Sequence, residues 1–368
     1  MPLNKKYVIL KAMNKLTNVD GWINLILYGV IMTAFIVYKT KPDQDKDEHI
    51  LANRKVSTLW GSFSVAVTWI WAPAIFVCGQ KAFEEGLAGI FWFTLPNILC
   101  FFVFAPIGVK IRKLMPNAYS LPDFIYKHFH GHRGAHLSYV IVSIGIQISA
   151  IVINSLAGGL LLESLCGMNR YTVTVAISAI GLIYSVWRGL PASIITDFVQ
   201  MIFILFIVFI IALWIVIEGG GINSLTHGLS GISGSSNIFN PWIAYSFGIP
   251  ASIALITFPV ADQMMFQRVM ASRQKDVIKT FYYGGLIFGI VPVLLSLLST
   301  ASTMTTNSAA PAAPPTPSPP TATATVSPTP KTPSPTTATA TATASSMAKT
   351  NGPTTQAAAT TSRQNSSR

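Results

Sequence analysis

Uncharged polar side chains stand inside the apolar stretches of this sequence, where they could hold an ion or a small solute. Gln147 and Asn154 are seven residues apart, which places both on one helix face with Ser143 nearby. They could line a path for a polar solute, or they could form interhelical hydrogen bonds worth about 1 kcal/mol each. Thr68 offers a hydroxyl near the centre of the apolar stretch 57–79. The spacing leaves both interpretations open.

One acidic side chain, Asp197, lies next to an apolar run in "PASIITDFVQ". Acidic residues at the edge of a membrane segment are functional candidates by default. Asp197 could alternatively cap the first turn of its helix, with Thr196 beside it.

Helix-disrupting residues interrupt two of the apolar stretches. Pro73 lies in the middle of 57–79, while Gly248, Pro250 and Pro259 lie in the stretch "NPWIAYSFGIPASIALITFPVADQ". Proline removes a backbone donor, and unpaired backbone at membrane depth is tolerated only where it is buried or lines a cavity. Interrupted helices at corresponding positions predict the binding site of an inverted-repeat transporter. A pair of ordinary proline kinks is the alternative.

The elements that carry these residues are membrane helices. Of the 368 residues, 51% are hydrophobic and 10% are charged, whereas about 25% of an average soluble chain is charged. The mean hydropathy is +0.51. This composition predicts an all-α polytopic membrane protein, and a span needs about 20 mostly apolar residues. The transmembrane domain is expected over 21–299, with eight spans at 21–39, 57–79, 87–109, 137–160, 171–187, 194–217, 242–260 and 281–299.

The distribution of Lys and Arg predicts the orientation in a plasma membrane. With the N-terminus outside, the connections on the inner side hold 15 basic residues, and the outer connections with the N-terminal segment hold 6. The four lysines of the basic segment 1–20 argue locally against this orientation, and an amphipathic helix on the lipid surface could accommodate them. The tail 300–368 lacks Asp and Glu and is rich in Ser, Thr, Pro and Ala, so we expect it to be disordered on the outer side. It is either an O-glycosylated stalk or an extension that follows a truncation or a change of frame.

Other classes of function have little support in the sequence. There is no Ser/His/Asp order, phosphate loop or nucleic-acid motif, so we expect neither an enzyme nor a nucleic-acid partner, and no cofactor. The alternating histidines of "KHFHGHRGAH" are either a metal tract or a solvated loop beside the lipid. No CxxC spacing occurs, so we interpret as packing residues the three cysteines, Cys78, Cys100 and Cys166.

Three motifs resemble those of the sodium/solute symporters, the family of sodium/glucose cotransporters and proline permease. "ADQMMFQRVMASR" at 261–273 is similar to the signature that follows the sixth core helix of that family. "TDFVQ" at 196–200 resembles the start of its fifth core helix. "TWIWAPAIFVCGQKAFEEGLAGIFWF", followed by "MPNAYSLPDFI", is most similar to the urea-permease-like branch. The resemblance extends over roughly residues 50–299.

This resemblance implies the inverted-repeat, LeuT-like transporter fold, in which ten core helices form two inverted five-helix repeats behind an extra helix. The first span is then the extra helix, the next five form the first repeat, and the last two open the second. Seven of the ten core helices are accounted for, so we expect the fold to be incomplete and the chain to be truncated at its C-terminal side. The two interrupted spans become the first helices of the two repeats.

The resemblance also implies site residues. It assigns sodium to backbone carbonyls of the first core helix, those of Ala66 and Trp69, with Thr68 beside them and oxygens of the eighth core helix opposite. Asp197 matches an aspartate that is tied to sodium coupling, acting indirectly through positioning. The expected contacts with the solute are Trp69, Trp71, Gln147, Phe247 and Ser252.

The predicted function is secondary active transport, in which sodium entry drives symport of a small polar solute by alternating access. The solute would be urea-like or another small organic molecule, and sodium would be the coupling ion. For this chain to transport, a second chain would have to supply the missing core helices. The alternative is a transport-inactive membrane protein, either a remnant or a regulator of a full-length symporter.

Overall fold

The computed structural model describes residues 16–40, 45–218, 226, 228–233 and 236–307. These residues all belong to one compact unit, residues 1–313, and a second unit, residues 314–368, lies outside the described part. The described chain folds into helices, which are α1 (Asn18–Lys39), α2 (Lys46–Leu51), α3 (Thr58–Trp69), α4 (Ala72–Leu114), α5 (Leu121–His128), α6 (Arg133–Cys166), α7 (Arg170–Glu218), α8 (Pro241–Ala261), α9 (Gln263–Ala271) and α10 (Val277–Asn307).

Six helices in the described part of the chain are long and apolar enough to cross a membrane. They are α1, most of α4, α6, the second half of α7, α8 and most of α10. Their outward faces carry large exposed apolar side chains such as Ile141, Phe203 and Ile253, as expected of helices that face lipid. The predicted fold class, an all-α polytopic membrane protein, is confirmed.

Two glycines divide the longest helices. Gly86 (φ +57°) breaks α4 and Gly189 (φ +62°) breaks α7, each in the left-handed region that favours glycine. A side chain at either position would also collide with a backbone carbonyl, that of Leu229 at Gly86 and that of His49 at Gly189. Each of these helices therefore provides two apolar segments that are joined at a sharp turn.

The main core lies where α10 packs along α3 and α4. Its largest fully buried side chains include Phe101 and Phe104 from α4 and Phe281 and Phe288 from α10. The ring centroids of Phe104 and Phe281 are 5.3 Å apart, in an edge-to-face arrangement. This packing holds α3, which carries the predicted ion site, against a rigid pair of helices.

The last helix extends beyond the span that we predicted to end at residue 299. α10 continues through Asn307, so the first eight residues of the predicted tail are helical. The Thr300 hydroxyl donates to the Leu297 carbonyl at 2.9 Å, because threonine can hydrogen-bond back into the preceding turn. The rest of the predicted tail, 308–368, and most of the predicted N-terminal segment lie outside the described residues.

Candidate functional site

The helix that begins with α3 is interrupted in mid-segment, directly before Pro73. Ile70 (φ −82°, ψ 80°) and Trp71 (φ −89°, ψ 172°) leave the helical conformation, and α4 begins at Ala72. Pro73 thereby falls in the first turn of a new helix, where a missing N–H group has no intrahelical partner to lose. The interruption expected in 57–79 is present, and it lies on the N-terminal side of the proline.

The interruption removes regular helical hydrogen bonds from several backbone N–H and carbonyl groups, and some of these groups find other partners. The N–H group of Ala72 donates to Oδ1 of Asn154 at 2.7 Å, and Nδ2 of Asn154 donates to the Ala150 carbonyl at 2.8 Å. The Trp69 carbonyl accepts from the Trp71 N–H group at 3.0 Å. The Ile70 N–H group, which would donate to the Ala66 carbonyl in a continuous α-helix, donates to the Val67 carbonyl at 2.9 Å instead. The break therefore takes away the regular helical donor of the Ala66 carbonyl.

A cavity of about 700 Å³ lies beside the break. Thr68, Ile70 and Trp71 form one wall, and Gln147 and Asn154 of α6 form another. Its other polar lining groups are hydroxyls, contributed by Tyr28, Ser155, Ser178 and Ser185, and none of the described residues that line it is charged. Most of the remaining lining side chains are apolar, so the cavity suits a small uncharged molecule that makes a few polar contacts.

The two tryptophans at the break face different surroundings. Trp69 is 3% exposed, and its indole N–H group donates to Oδ1 of Asn97 at 2.8 Å inside the core. Trp71 lines the cavity and contacts Phe258 of α8, with ring centroids 5.3 Å apart. The Trp69 ring also contacts Phe258, at 5.7 Å between centroids, so both rings connect the break to α8, but only Trp71 lines the cavity.

The prediction of a second interruption, in α8, is wrong. The backbone keeps right-handed helical angles through Gly248 and Ile249 and continues past Pro250. Ala244–Gly248 forms a wider π-helical turn, in which the Ile249 N–H group donates to the Ala244 carbonyl. Ser252 Oγ donates to the Gly248 carbonyl at 2.6 Å. The wider turn and this hydroxyl accommodate the proline without opening the helix.

The predicted solute contacts are therefore brought together only in part. Trp71 and Gln147 line the cavity, as does Thr68 from the predicted ion site, whereas Phe247 and Ser252 are not among its lining residues. The Phe247 ring lies 5.0 Å from Nζ of Lys81. Asn154 lies on the same helix face as Gln147, but its hydrogen bond to the backbone at the break was not predicted.

Asp197 belongs to a buried polar cluster at the α3 side of the break. Its Oδ2 accepts from Ser64 Oγ at 2.6 Å and from Nη2 of Arg268 at 3.0 Å. Arg268 also donates from Nη2 to Ser193 Oγ at 3.2 Å. Asp197 lies eight residues after the Gly189 break, which is too far into the helix for it to cap the first turn. Its hydrogen bonds connect α7 to α3 and α9. Sequence reasoning missed Arg268 as its partner, although this arginine is part of the quoted motif at 261–273.

The same motif organises the junction between α8 and α9. The Asp262 carboxylate accepts from the N–H groups of Met264 at 3.3 Å and Met265 at 3.1 Å, and from Nε2 of Gln147 at 3.2 Å. Burial raises the pKa of Asp262, while the backbone N–H groups act in the opposite direction. Oε1 of Gln263 accepts from the Leu121 N–H group at 2.8 Å and so joins α5 to the junction. Gln147 therefore both lines the cavity and makes an interhelical hydrogen bond.

The histidines of the 128–136 stretch make local contacts. His132 Nδ1 accepts from the Ala135 N–H group at 3.1 Å and caps α6, and His136 Nδ1 lies 3.1 Å from the Pro122 carbonyl. His128 stacks on Phe124 with ring centroids 5.6 Å apart. In the described residues no three His, Cys, Asp or Glu side chains are grouped so that they could hold a metal ion.

Several transport proteins are similar in sequence to this chain. The probable urea active transporter 3 of Schizosaccharomyces pombe is 21% identical over 262 residues, which cover 68% of this chain and 39% of that protein. The urea-proton symporter DUR3 of Oryza sativa is 22% identical over 194 residues, covering 51% of this chain and 27% of that protein. This chain thus spans about two fifths or less of the length of these relatives.

A solved structure shares the fold. The substrate-bound, outward-open structure of a Na⁺-coupled sialic acid symporter matches 79% of this chain and 62% of its own, with a TM-score of 0.65 and 17% identity. The inverted-repeat, LeuT-like fold class that the motifs implied is confirmed. The family model for the sodium:solute symporter family matches residues 49–320. Since this match covers well over half of the sequence, the chain belongs to the sodium:solute symporter family.

Proposed function

We propose that this protein binds a small uncharged polar solute in the cavity beside the α3–α4 break and carries it across the membrane together with sodium. The break is the observation on which the proposal depends, because it interrupts the regular backbone hydrogen bonding of a membrane helix beside a cavity that carries hydroxyl and amide groups. An interrupted helix inside a bilayer is tolerated only where it serves a cavity or is covered by protein. Membership of the sodium:solute symporter family supports sodium as the coupling ion.

Sodium would bind at the backbone oxygens of the break. A hard cation needs several oxygen ligands, and carbonyls released by an unwound helix supply them without adding a charge. The candidates are the carbonyls of Ala66 and Trp69 and the hydroxyl of Thr68, which donates its proton to the Ser64 carbonyl at 2.7 Å and so turns its lone pairs elsewhere. Asp197 would act indirectly, since its carboxylate is engaged by Arg268 and by Ser64 on α3.

The solute would be urea or another small amide. Such molecules carry N–H donors and a carbonyl acceptor, which match the side chains of Gln147 and Asn154 and the surrounding hydroxyls. The curated relatives named as urea transporters point the same way. Trp71 would provide a flat apolar surface on which a planar solute can stack.

Alternating access would require the buried cluster around Asp197 to separate. The cluster joins α3, α7 and α9 at the end of the molecule that is richest in Lys and Arg, which the positive-inside rule assigns to the cytoplasm. The N-terminus would then lie on the outer side of the plasma membrane. Movement of α3 away from α7 would open the cavity to the cytoplasm.

Uptake into proteoliposomes that contain only the full chain tests this proposal. Labelled urea should accumulate above the level of empty vesicles when a sodium gradient is imposed, and less so with a choline gradient. A pH gradient serves as a further condition, because one relative is named a urea-proton symporter. Thr68→Val and Asn154→Ala should lower the uptake, whereas Asn24→Ala, an exposed amide on α1 that bonds only to its own helix, should not. Urea uptake that no gradient changes would refute coupled transport.

A second candidate function is solute binding without transport. The continuous α8 favours it, because only one of the two helices that were expected to open does so. In that case calorimetry would detect solute binding that depends on Asn154, while the proteoliposomes would show no uptake. Such a chain would act as a regulator or partner of a full-length symporter.

A further inference from the structure

A groove separate from the solute cavity lies between the start of α3, the second half of α7 and the segment that follows α9. Its volume is about 470 Å³, and it shares no lining residue with the cavity. Its lining includes Lys55, Trp60, Pro191, Ile195 and Arg273. Among the described residues that line it, the charged ones are Lys55 and Arg273.

Backbone hydrogen bonds hold these two cations at the same rim. The Val56 N–H group donates to the Ala271 carbonyl at 3.1 Å, and the Arg273 N–H group donates back to the Val56 carbonyl at 3.0 Å. Nε of Arg273 donates to the Lys55 carbonyl at 3.1 Å. Both side chains are exposed, and among the described residues neither forms an ion pair. The rim therefore presents two neighbouring positive charges and no bound carboxylate.

The wall below the rim is apolar and aromatic. Trp60 is 39% exposed, and its ring stacks on Phe198 at 4.2 Å between centroids. The groove lies at membrane-interface level, since α3 begins at Thr58 and the apolar part of α7 begins at Arg188. Tryptophan is the residue most typical of this level of a bilayer.

We infer that this groove binds an anionic phospholipid of the cytoplasmic leaflet. The phosphodiester would lie between the ammonium group of Lys55 and the guanidinium group of Arg273, and an acyl chain would follow Trp60 and Ile195 into the bilayer. Charge complementarity selects the occupant, because the inner leaflet carries the anionic lipids and basic pockets at its surface bind their headgroups. Phosphatidylserine carries a carboxylate in addition to its phosphodiester and ammonium groups and so has a net negative charge, whereas a zwitterionic lipid has no net charge and would bind less tightly.

Native mass spectrometry of the full chain in mild detergent tests the inference. Purified protein is titrated with phosphatidylserine or with phosphatidylcholine of the same acyl chains, and the lipid-bound fraction is measured. We expect phosphatidylserine to bind more tightly, and Lys55→Gln with Arg273→Gln to weaken its binding roughly 10- to 30-fold. The charge-preserving pair Lys55→Arg and Arg273→Lys should retain binding.

The matched control is Lys110→Gln with Lys113→Gln. These exposed cations lie at the same end of the molecule, as shown by the neighbouring Arg112, which donates to the Met270 carbonyl at 2.6 Å. Neither lines the groove, so this variant should bind like the unaltered chain. Equal losses in the two neutralised variants, or equal binding of the two lipids, would overturn the inference.

Thermal unfolding in neutral detergent verifies that each variant is folded. Competition by soluble glycerol phosphate would indicate a site for free phosphate instead of a lipid.

Discussion

The two segments that were predicted to be interrupted at a proline, 57–79 and α8, differ in the structure. The α3–α4 segment unwinds at Ile70 and Trp71, whereas α8 passes Pro250 as a continuous helix with one π-helical turn. At the first break, Asn154 of another helix accepts the hydrogen bond of the freed backbone N–H group. In α8 the groups that accommodate the proline lie in the same helix: a π-helical turn, and the Ser252 hydroxyl that donates to the Gly248 carbonyl. A proline thus weakens a membrane helix, but a neighbouring side chain decides whether the helix opens.

The two helices are also anchored by different forces. α3 is attached through Ser64 to the buried ion pair of Asp197 and Arg268. α8 is positioned by close packing, since Gly248 lies directly against the ring of Trp92. The following substitutions separate these two kinds of anchor, from the largest expected effect to the smallest.

Arg268→Ala should have the largest effect, because it removes the cation that compensates a buried carboxylate. We expect a loss of about 3–5 kcal/mol in the free energy of unfolding, measured by denaturant titration in detergent. Lys127→Ala is the control, since it breaks the exposed pair with Asp123 and should cost less than about 1 kcal/mol. Similar losses in both variants would show that α3 is not anchored by the buried pair.

Gly248→Ala should come next, because the added methyl group would overlap the Trp92 ring. That ring has little freedom to move, since its indole N–H group donates to the Ile238 carbonyl at 2.9 Å. We expect a loss of about 1–3 kcal/mol in the same titration. Gly145→Ala, a helix position with open space around it, should be neutral or slightly stabilising. A neutral Gly248→Ala would mean that packing does not position α8.

Asn154→Ala should cost about 1 kcal/mol, the size of an interhelical hydrogen bond in a membrane. It removes the acceptor of the Ala72 N–H group, so amide exchange measured by mass spectrometry should also become faster around residues 70–74. Asn24→Ala leaves this region unchanged and serves as the control. Unchanged exchange at the break would contradict the role that we assign to Asn154.

Ser252→Ala and Thr68→Val should have the smallest effects on stability, below about 1 kcal/mol each. Both hydroxyls bond to a carbonyl four residues earlier in the chain, at 2.6 and 2.7 Å, so the two substitutions are matched in local chemistry. Only Thr68 lines the cavity, so only Thr68→Val should change the sodium dependence of urea uptake. An equal change in both variants would place the ion elsewhere.

Features that are set by a single segment of the chain could be predicted from the sequence. The apolar segments, the interruption beside Pro73 and the three motifs can each be found without knowledge of what packs beside them, whereas the breaks at Gly86 and Gly189 were not predicted. The spacing of Gln147 and Asn154 correctly placed both on one face, and both line the cavity. The positions of Phe247 and Ser252 were not predictable in this way, because which side of α8 faces the cavity depends on how that helix is rotated against its neighbours.

The sequence by itself determined that the chain crosses a membrane and belongs to this family, because hydrophobic length and motif spacing are local properties of the chain. The tertiary structure alone decided that the first helix opens and α8 does not, and that Asp197 pairs with Arg268, 71 residues away in the chain. Both outcomes depend on hydrogen-bond partners that lie on other helices. A backbone or carboxylate group in an apolar environment takes whichever partner the packing brings within reach, and the order of residues does not contain that distance.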